Sequence, residues 1–163
     1  ICSLGQTVLI SNFQEYYNLV EYFSLYSKKR MVLSMGVNNL IDVFDHKYYS
    51  HLSGGILEAF AKLFHKDLKV YLYPMLAKDG SLITSDNLKV HPRMKELYKF
   101  FKYTGKLIDI ENYKPEILNI FSRKVLKMIN SGDDNWEPLL PTIVSEMIRK
   151  QQLFGYREKE FKK

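Results

Sequence analysis

Apolar residues near the start of the chain form two strand-like runs separated by a helical pattern. Thr7–Ile10 is a short run with β-branched residues, typical of a strand buried on both faces of a parallel sheet. Met31–Met35 is a second such run and ends at Gly36. The apolar residues between them recur at i, i+3, i+4 and i+7, which predicts an amphipathic helix; they are Tyr16, Leu19, Val20 and Phe23. Thr7–Met35 is therefore predicted to be a β-α-β unit with a right-handed crossover.

Strand and helix patterns continue to alternate along the rest of the chain. The predicted strands are Leu68–Tyr73 and Lys106–Ile110, and Asp79-Gly80 predicts the turn of a hairpin whose return strand is Ser81–Thr84. Helices are predicted to begin near Asn38, Gly55, Pro92, Pro115 and Pro141. This order predicts a Rossmann-like α/β fold, with a parallel sheet of about four strands flanked by helices and a helical C-terminal third. We expect a single α/β domain over residues 1–156 and a flexible basic tail over residues 157–163.

The beginning of the chain indicates that it belongs to a longer protein. It starts at Ile1 rather than at methionine, and its first residues read like the end of a helix, so we expect a C-terminal fragment. The only cysteine, Cys2, has no internal disulfide partner, which fits a reducing, cytoplasmic setting. No stretch of about 18 uncharged apolar residues occurs, so we expect no membrane segment.

Composition and charge narrow the classes of partner. The hydrophobic content of 46% and the aromatic content of 14% are those of an ordinary globular protein. The formal net charge is +6, but the lysines are spread along the predicted helices and are interpreted as solvated faces. No zinc-finger spacing or RNA-binding aromatic signature accompanies them, so we expect no nucleic-acid partner.

Small polar residues at the predicted carboxyl ends of two strands are the first candidates for a ligand site. Ser11 and Asn12 follow the first predicted strand, and Gly36, Asn38 and Asn39 follow the second. Ligands of open α/β sheets lie at this edge, and the free amides at a helix N-terminus attract anions. These residues are predicted to contact a phosphate-bearing small molecule. The alternative interpretation is that their side chains only cap the two helices.

The polar loop between Asp45 and Gly55 is the second candidate region. Free amides near Gly54 and Gly55 offer an anion site, whereas the alternative is an ordered surface loop that these glycines let turn tightly into a helix. The loop histidines, His46 and His51, are five residues apart and do not match the helical pair of a zinc protease, so no metal site is predicted. No dinucleotide fingerprint, phosphate loop or nucleophile elbow occurs in the chain. The catalytic residues and any cofactor therefore stay unassigned.

Four stretches of the chain carry a resemblance to a known family; they are Gly5–Asn12, Lys47–Phe60, Asp67–Pro74 and Gln152–Tyr156. Through them the chain resembles the C-terminal region of larger bacterial proteins labelled nicotinate (or nicotinamide) mononucleotide adenylyltransferase. The resemblance covers most of the chain and implies a transferase. The HxGH and ISSTxxR-like motifs of such adenylyltransferases do not occur here, so no catalytic residue can be carried over. Ser11-Asn12 after a strand also resembles the second motif of the haloacid dehalogenase class, by analogy only.

Three functions stay open from the sequence. The chain is interpreted first as an accessory α/β domain without a complete active site, whose partner is the N-terminal remainder of the same protein. The second interpretation is an enzyme module, dehalogenase-like or a nucleotidyltransferase, that holds a phosphate-type ligand at the strand edge. The third is a protein-interaction domain, including a homodimer, with exposed tyrosines such as Tyr22 and Tyr103 as anchors.

Overall fold

The computed structural model describes residue 2 and residues 5–157 of the chain. The chain divides into two compact units, residues 1–111 and residues 112–163. The expectation of a single domain over residues 1–156 remains a prediction. Of the predicted basic tail, residues 158–163 lie outside the described residues.

Six helices and five strands make up the regular structure of the described residues, joined by short 3-10 turns. The helices are α1 (Tyr16–Tyr26), α2 (Val37–Val43), α3 (Gly55–Leu63), α4 (Lys95–Tyr103), α5 (Ser122–Ser131) and α6 (Thr142–Gln151). The strands are β1 (Val32–Gly36), β2 (Lys69–Tyr73), β3 (Met75–Leu76), β4 (Leu82–Ile83) and β5 (Leu107–Asp109).

A three-stranded parallel sheet in the order β1-β2-β5 forms the centre of the first unit. The prediction of a parallel sheet flanked by helices is confirmed, with three strands where about four were expected. β2 lies in the middle, and its Val70 and Leu72 are completely buried. β3 and β4 form the predicted antiparallel hairpin, which turns at Gly80 in the left-handed conformation that glycine adopts without steric cost.

The prediction of a first strand at Thr7–Ile10 is wrong. Residues 6–14 belong to no helix or strand, and their backbone groups make no bond to another backbone group in the described part of the chain. Ile10 is 94% exposed, and the predicted β-α-β unit is reduced to α1 followed by β1. Strand propensity reflects how well a residue packs beside a neighbouring strand, and no strand of the described residues lies beside this segment.

Aromatic side chains from three helical regions fill the core of the first unit. Phe60 of α3 contacts Phe44 edge-on at 4.9 Å between ring centroids and Phe101 of α4 at 5.2 Å. Phe64, just after α3, stacks on Phe101 at 4.2 Å. Offset and edge-to-face ring pairs of this kind add to the stabilisation gained by burying the rings. The buried face of α3 consists of Ala59, Phe60 and Leu63.

The second unit has a small core of its own. Buried residues of α5 and α6 meet Trp136, which lies in the 3-10 turn between these helices. The ring of Trp136 contacts Tyr156 edge-on, with 5.9 Å between ring centroids. α5 is capped by Gly132, whose φ of 71° is the left-handed cap conformation. The helical C-terminal third is thereby confirmed.

The helices of the described residues are all too short or too polar to cross a lipid bilayer.

Candidate functional site

The segment that carries Ser11 and Asn12 does not approach the sheet as predicted. Both residues are exposed and precede α1 by several residues, and neither follows a strand. The N-cap of α1 is Glu15, and no side chain caps this helix end. The predictions that Ser11 and Asn12 end a strand and cap α1 are therefore wrong. The analogy to the dehalogenase motif loses its structural basis, because that motif needs a strand before Ser-Asn.

Gly36 ends β1, and Asn38 and Asn39 follow it, as predicted. Gly36 itself is the N-cap of α2, and no side chain caps this helix, so the predicted caps at Asn38 and Asn39 are wrong. Both asparagines are exposed within the first turn of α2. The Asn39 amide Nδ2 instead donates a hydrogen bond to the Tyr16 hydroxyl at 3.1 Å, which connects α2 to the start of α1.

The amides of Gly54 and Gly55 are already used inside the chain. Gly54 N–H donates to Glu58 Oε2 at 3.0 Å, and Gly55 N–H donates to the Leu52 carbonyl at 3.0 Å. The bond from Gly54 is the main reason that the pKa of Glu58 lies below its ordinary value, and Lys62 contributes further. An anion at these amides would have to displace a carboxylate. The alternative interpretation, in which Gly54 and Gly55 let the loop turn tightly into α3, accounts for both glycines.

A cleft of about 300 Å³ lies between the start of α1, α2 and the turn after it. Of the seven predicted ligand-binding residues, only Asn39 lines it; the other lining residues are Gln14, Glu15, Tyr16, Asp42, Val43, Tyr48 and Tyr49. Tyr49 Oη donates to the Val43 carbonyl at 2.9 Å, and burial raises the pKa of this tyrosine. Two carboxylates and no basic side chain line the cleft, so its charge repels a phosphate.

The carboxyl edge of the sheet is occupied by the chain itself. The β3–β4 hairpin follows β2 directly and, with the start of α2, lines a cleft of about 410 Å³ whose apolar walls include Val37, Ile41 and Ile83. The loop after the hairpin is fastened to the end of β5, because buried Ser85 donates to both carboxylate oxygens of Asp109, from its amide at 2.9 Å and from its hydroxyl at 2.6 Å. Ser85 in turn accepts a bond from Tyr98 of α4 at 2.7 Å.

A basic groove of about 520 Å³ lies between this loop and α4, where the sequence predicted only solvated lysines. Its lysines are Lys89 on the loop and Lys95, Lys99 and Lys102 on α4. These four residues define the lysine groove. The signal was present in the sequence, since positions 95, 99 and 102 have the i, i+4, i+7 spacing of one helix face. The opposing loop lysine could not be assigned to the same groove without tertiary contacts.

An exposed, uncharged surface runs from the N-terminal segment onto α1. Val8, Leu9 and Ile10 are 41%, 55% and 94% exposed. The ring of Phe13 contacts Tyr22 of α1 at 5.5 Å between centroids, and Tyr22 contacts Tyr26 at 5.1 Å. We call the residues 7–13 together with Tyr22, Leu25 and Tyr26 the N-terminal surface. Exposed apolar area that is continuous in this way is characteristic of protein contact sites.

Within the described ranges, no three His, Cys, Asp or Glu side chains lie close enough together to hold a metal ion. His51 of the polar loop is engaged with the Tyr17 hydroxyl at 3.0 Å, and the rings of His46 and His91 lie 5.9 Å apart. Comparison of the chain with family models, with curated proteins and with solved structures found no match.

Proposed function

We propose that this chain is an accessory α/β module that completes a larger protein by packing against another part of it through the N-terminal surface. The observation that carries the proposal is that Thr7–Ile10, which has the composition of a strand, is exposed and unpaired in the described part of the chain. Burying exposed apolar side chains and pairing free backbone groups would both stabilise such a contact.

The open edge of the sheet supports the same proposal. β1 pairs only with β2, so its other edge presents free backbone donors and acceptors in the described structure. Val32 is 54% exposed, and Ser34 and Gly36 on the same face of β1 are exposed as well. Parallel sheets are normally covered on both faces, and an uncovered edge strand is a template for another strand.

The family resemblance gives this proposal a context. In the resembled adenylyltransferase-labelled proteins the chain would be the C-terminal region, and its partner would be the N-terminal remainder of the same protein. Transferase chemistry and a cytoplasmic location belong to this proposal and stay predictions.

The alternative enzyme module, with a phosphate-type ligand at Ser11, Asn12 and Gly36–Asn39, has weaker support. Its residues do not line one cleft together, and the cleft that Asn39 lines is acidic. A homodimer formed through the same N-terminal surface is an outcome that the experiment below separates from packing within a longer protein.

Hydrogen–deuterium exchange of the backbone amides tests the proposal directly. In the 163-residue chain alone, the amides of Thr7–Ile10 should exchange at nearly the rate of an unstructured peptide, because they have no backbone partner among the described residues. In the longer protein of which we propose the chain to be a part, pairing should slow them by roughly 100-fold or more.

The amides of central strand β2 provide the internal control, since they should be protected in both samples. Fast exchange at Thr7–Ile10 in both samples would contradict the proposal. Slow exchange in the chain alone, together with the hydrodynamic size of a dimer, would indicate that the N-terminal surface pairs with a second copy of the chain instead.

A further inference from the structure

Positive charge in the lysine groove exceeds what its acidic neighbours neutralise. Among the described residues, Asp86 is the only acidic one in the lining, and it forms an ion pair with Lys102. Lys99 forms an ion pair with Glu96, an exposed residue outside the lining, at 2.8 Å. Lys89 and Lys95 form no ion pair in the part of the chain that the structure describes. Four lysines against two acidic residues, Asp86 and Glu96, leave a net excess of two positive charges at one concave site.

The groove has a fixed shape rather than a mobile wall. The Ser85–Asp109 and Tyr98–Ser85 hydrogen bonds fasten the loop to β5 and to α4. The same loop is folded on itself, because Asn87 accepts from Thr84 N–H at 2.9 Å and donates to the Leu82 carbonyl at 2.7 Å. Sites whose groups are held in place before binding lose less entropy when a ligand arrives.

The remaining walls are partly apolar. Leu88, Val90 and Pro92 line the groove beside the lysines. A volume of about 520 Å³ is in the range of pockets that hold small organic ligands. The lining therefore offers contacts both to an anionic group and to an organic part of the same molecule.

We propose that the lysine groove binds a small organic molecule that carries a phosphate group. A phosphate group carries about −1.5 to −2 charges at neutral pH, which matches the excess of two positive charges at the site. Lysine contacts phosphate as a compact point charge from either wall, which suits Lys89 on the loop opposite Lys95 on α4. A small ligand is favoured over nucleic acid because the groove lysines converge on one concavity instead of following an extended track.

Calorimetric titration of the full 163-residue chain with inorganic pyrophosphate, at low salt, tests this site. Wild-type chain should bind one pyrophosphate per molecule in a saturable manner. The double variant Lys89→Gln with Lys95→Gln should bind about tenfold more weakly, as expected from the loss of two exposed charge contacts. Both side chains are exposed, so the variant should unfold at the same urea concentration as the wild type.

A variant with the same change of net charge provides the control. Lys124→Gln with Lys127→Gln alters two exposed lysines of α5, away from the groove residues in sequence, and should change the affinity less than about twofold. No saturable binding of pyrophosphate, or an equal loss of affinity in the control, would overturn the proposal. Tighter binding of a single-stranded RNA oligonucleotide than of pyrophosphate, reduced equally by both variants, would instead indicate a general polyanion surface.

Discussion

Glu58 has two roles at the start of α3. Its carboxylate accepts from the Gly54 amide at 3.0 Å and forms an ion pair with Lys62, one helical turn later, at 3.3 Å. A carboxylate in the first turn of a helix satisfies a free N–H group and interacts favourably with the positive end of the helix dipole. Gly54 also sits close to Glu58, because a Cβ at position 54 would meet the Glu58 Cβ at 2.8 Å. The position of Glu58 therefore requires a glycine at position 54, and the Gly54 amide obtains its hydrogen bond from Glu58.

Glu58→Gln should destabilise the chain at neutral pH and have no such effect in acid. The hydrogen bond from Gly54, and then Lys62, hold the folded-state pKa of Glu58 below its ordinary value of 4.5. A depressed folded-state pKa gives stability that is present above pH 4.5 and is lost as the pH falls through the folded-state pKa. Urea unfolding at a series of pH values should show the difference between wild type and variant vanishing in this window.

The control for this change is Glu111→Gln, since Glu111 is exposed and forms no ion pair within the described ranges. A pH dependence of the same size in both variants would mean that net charge, and not the contacts of Glu58, is responsible.

Helix α3 connects several parts of the first unit. It packs against α1, and its buried face meets α4 and the end of α2 through aromatic rings. The opposite face is exposed, with Leu57 at 63%. An amphipathic helix gains most of its stability from such tertiary packing, because a helix this short is marginal by itself.

Phe60→Ala should lower the free energy of unfolding by about 3–5 kcal/mol, the range for removing a fully buried aromatic side chain. Phe60 is only 2% exposed and contacts four other aromatic rings. Leu57→Ala, on the exposed face of the same helix, should change it by no more than about 0.5 kcal/mol. Urea denaturation followed by circular dichroism measures both. Equal losses would contradict the role of core packing, because the buried face of α3 would then contribute no more than its exposed face.

The whole chain consists of two units that each have a buried core. The parallel sheet, the hairpin and the aromatic cluster all lie within residues 1–111. The hydrogen bonds that fasten the loop after the hairpin lie in the same range. A unit that holds its own sheet and core has the interactions it needs to fold cooperatively.

A fragment of residues 1–111 should therefore unfold in one cooperative urea transition, with a slope of about 1 kcal/mol per M or more. Far-ultraviolet circular dichroism should follow helix loss, and Phe60→Ala should shift the midpoint of the fragment in the same direction as in the full chain. A gradual, non-cooperative loss of signal would show that the first unit depends on residues beyond 111.

The sequence by itself determined most of the elements. α1, α3, β2 and β5 could be predicted because each depends on a local pattern of apolar residues or on a terminating proline or glycine, and such patterns act within a few neighbouring residues. The hairpin followed from Asp79-Gly80 for the same reason.

Only the tertiary structure decided how these elements are used. Thr7–Ile10 has the composition of a strand, but no strand lies beside it in the part of the chain that the structure describes, because pairing requires a partner that composition cannot supply. Asn39 has the chemistry of an anion ligand but lines a cleft with two carboxylates. Lys89 and Lys95 face one groove because the Ser85–Asp109 bonds fasten a loop beside α4. Sites formed by side chains distant in sequence depend on these long-range contacts, which leave no pattern in any single segment.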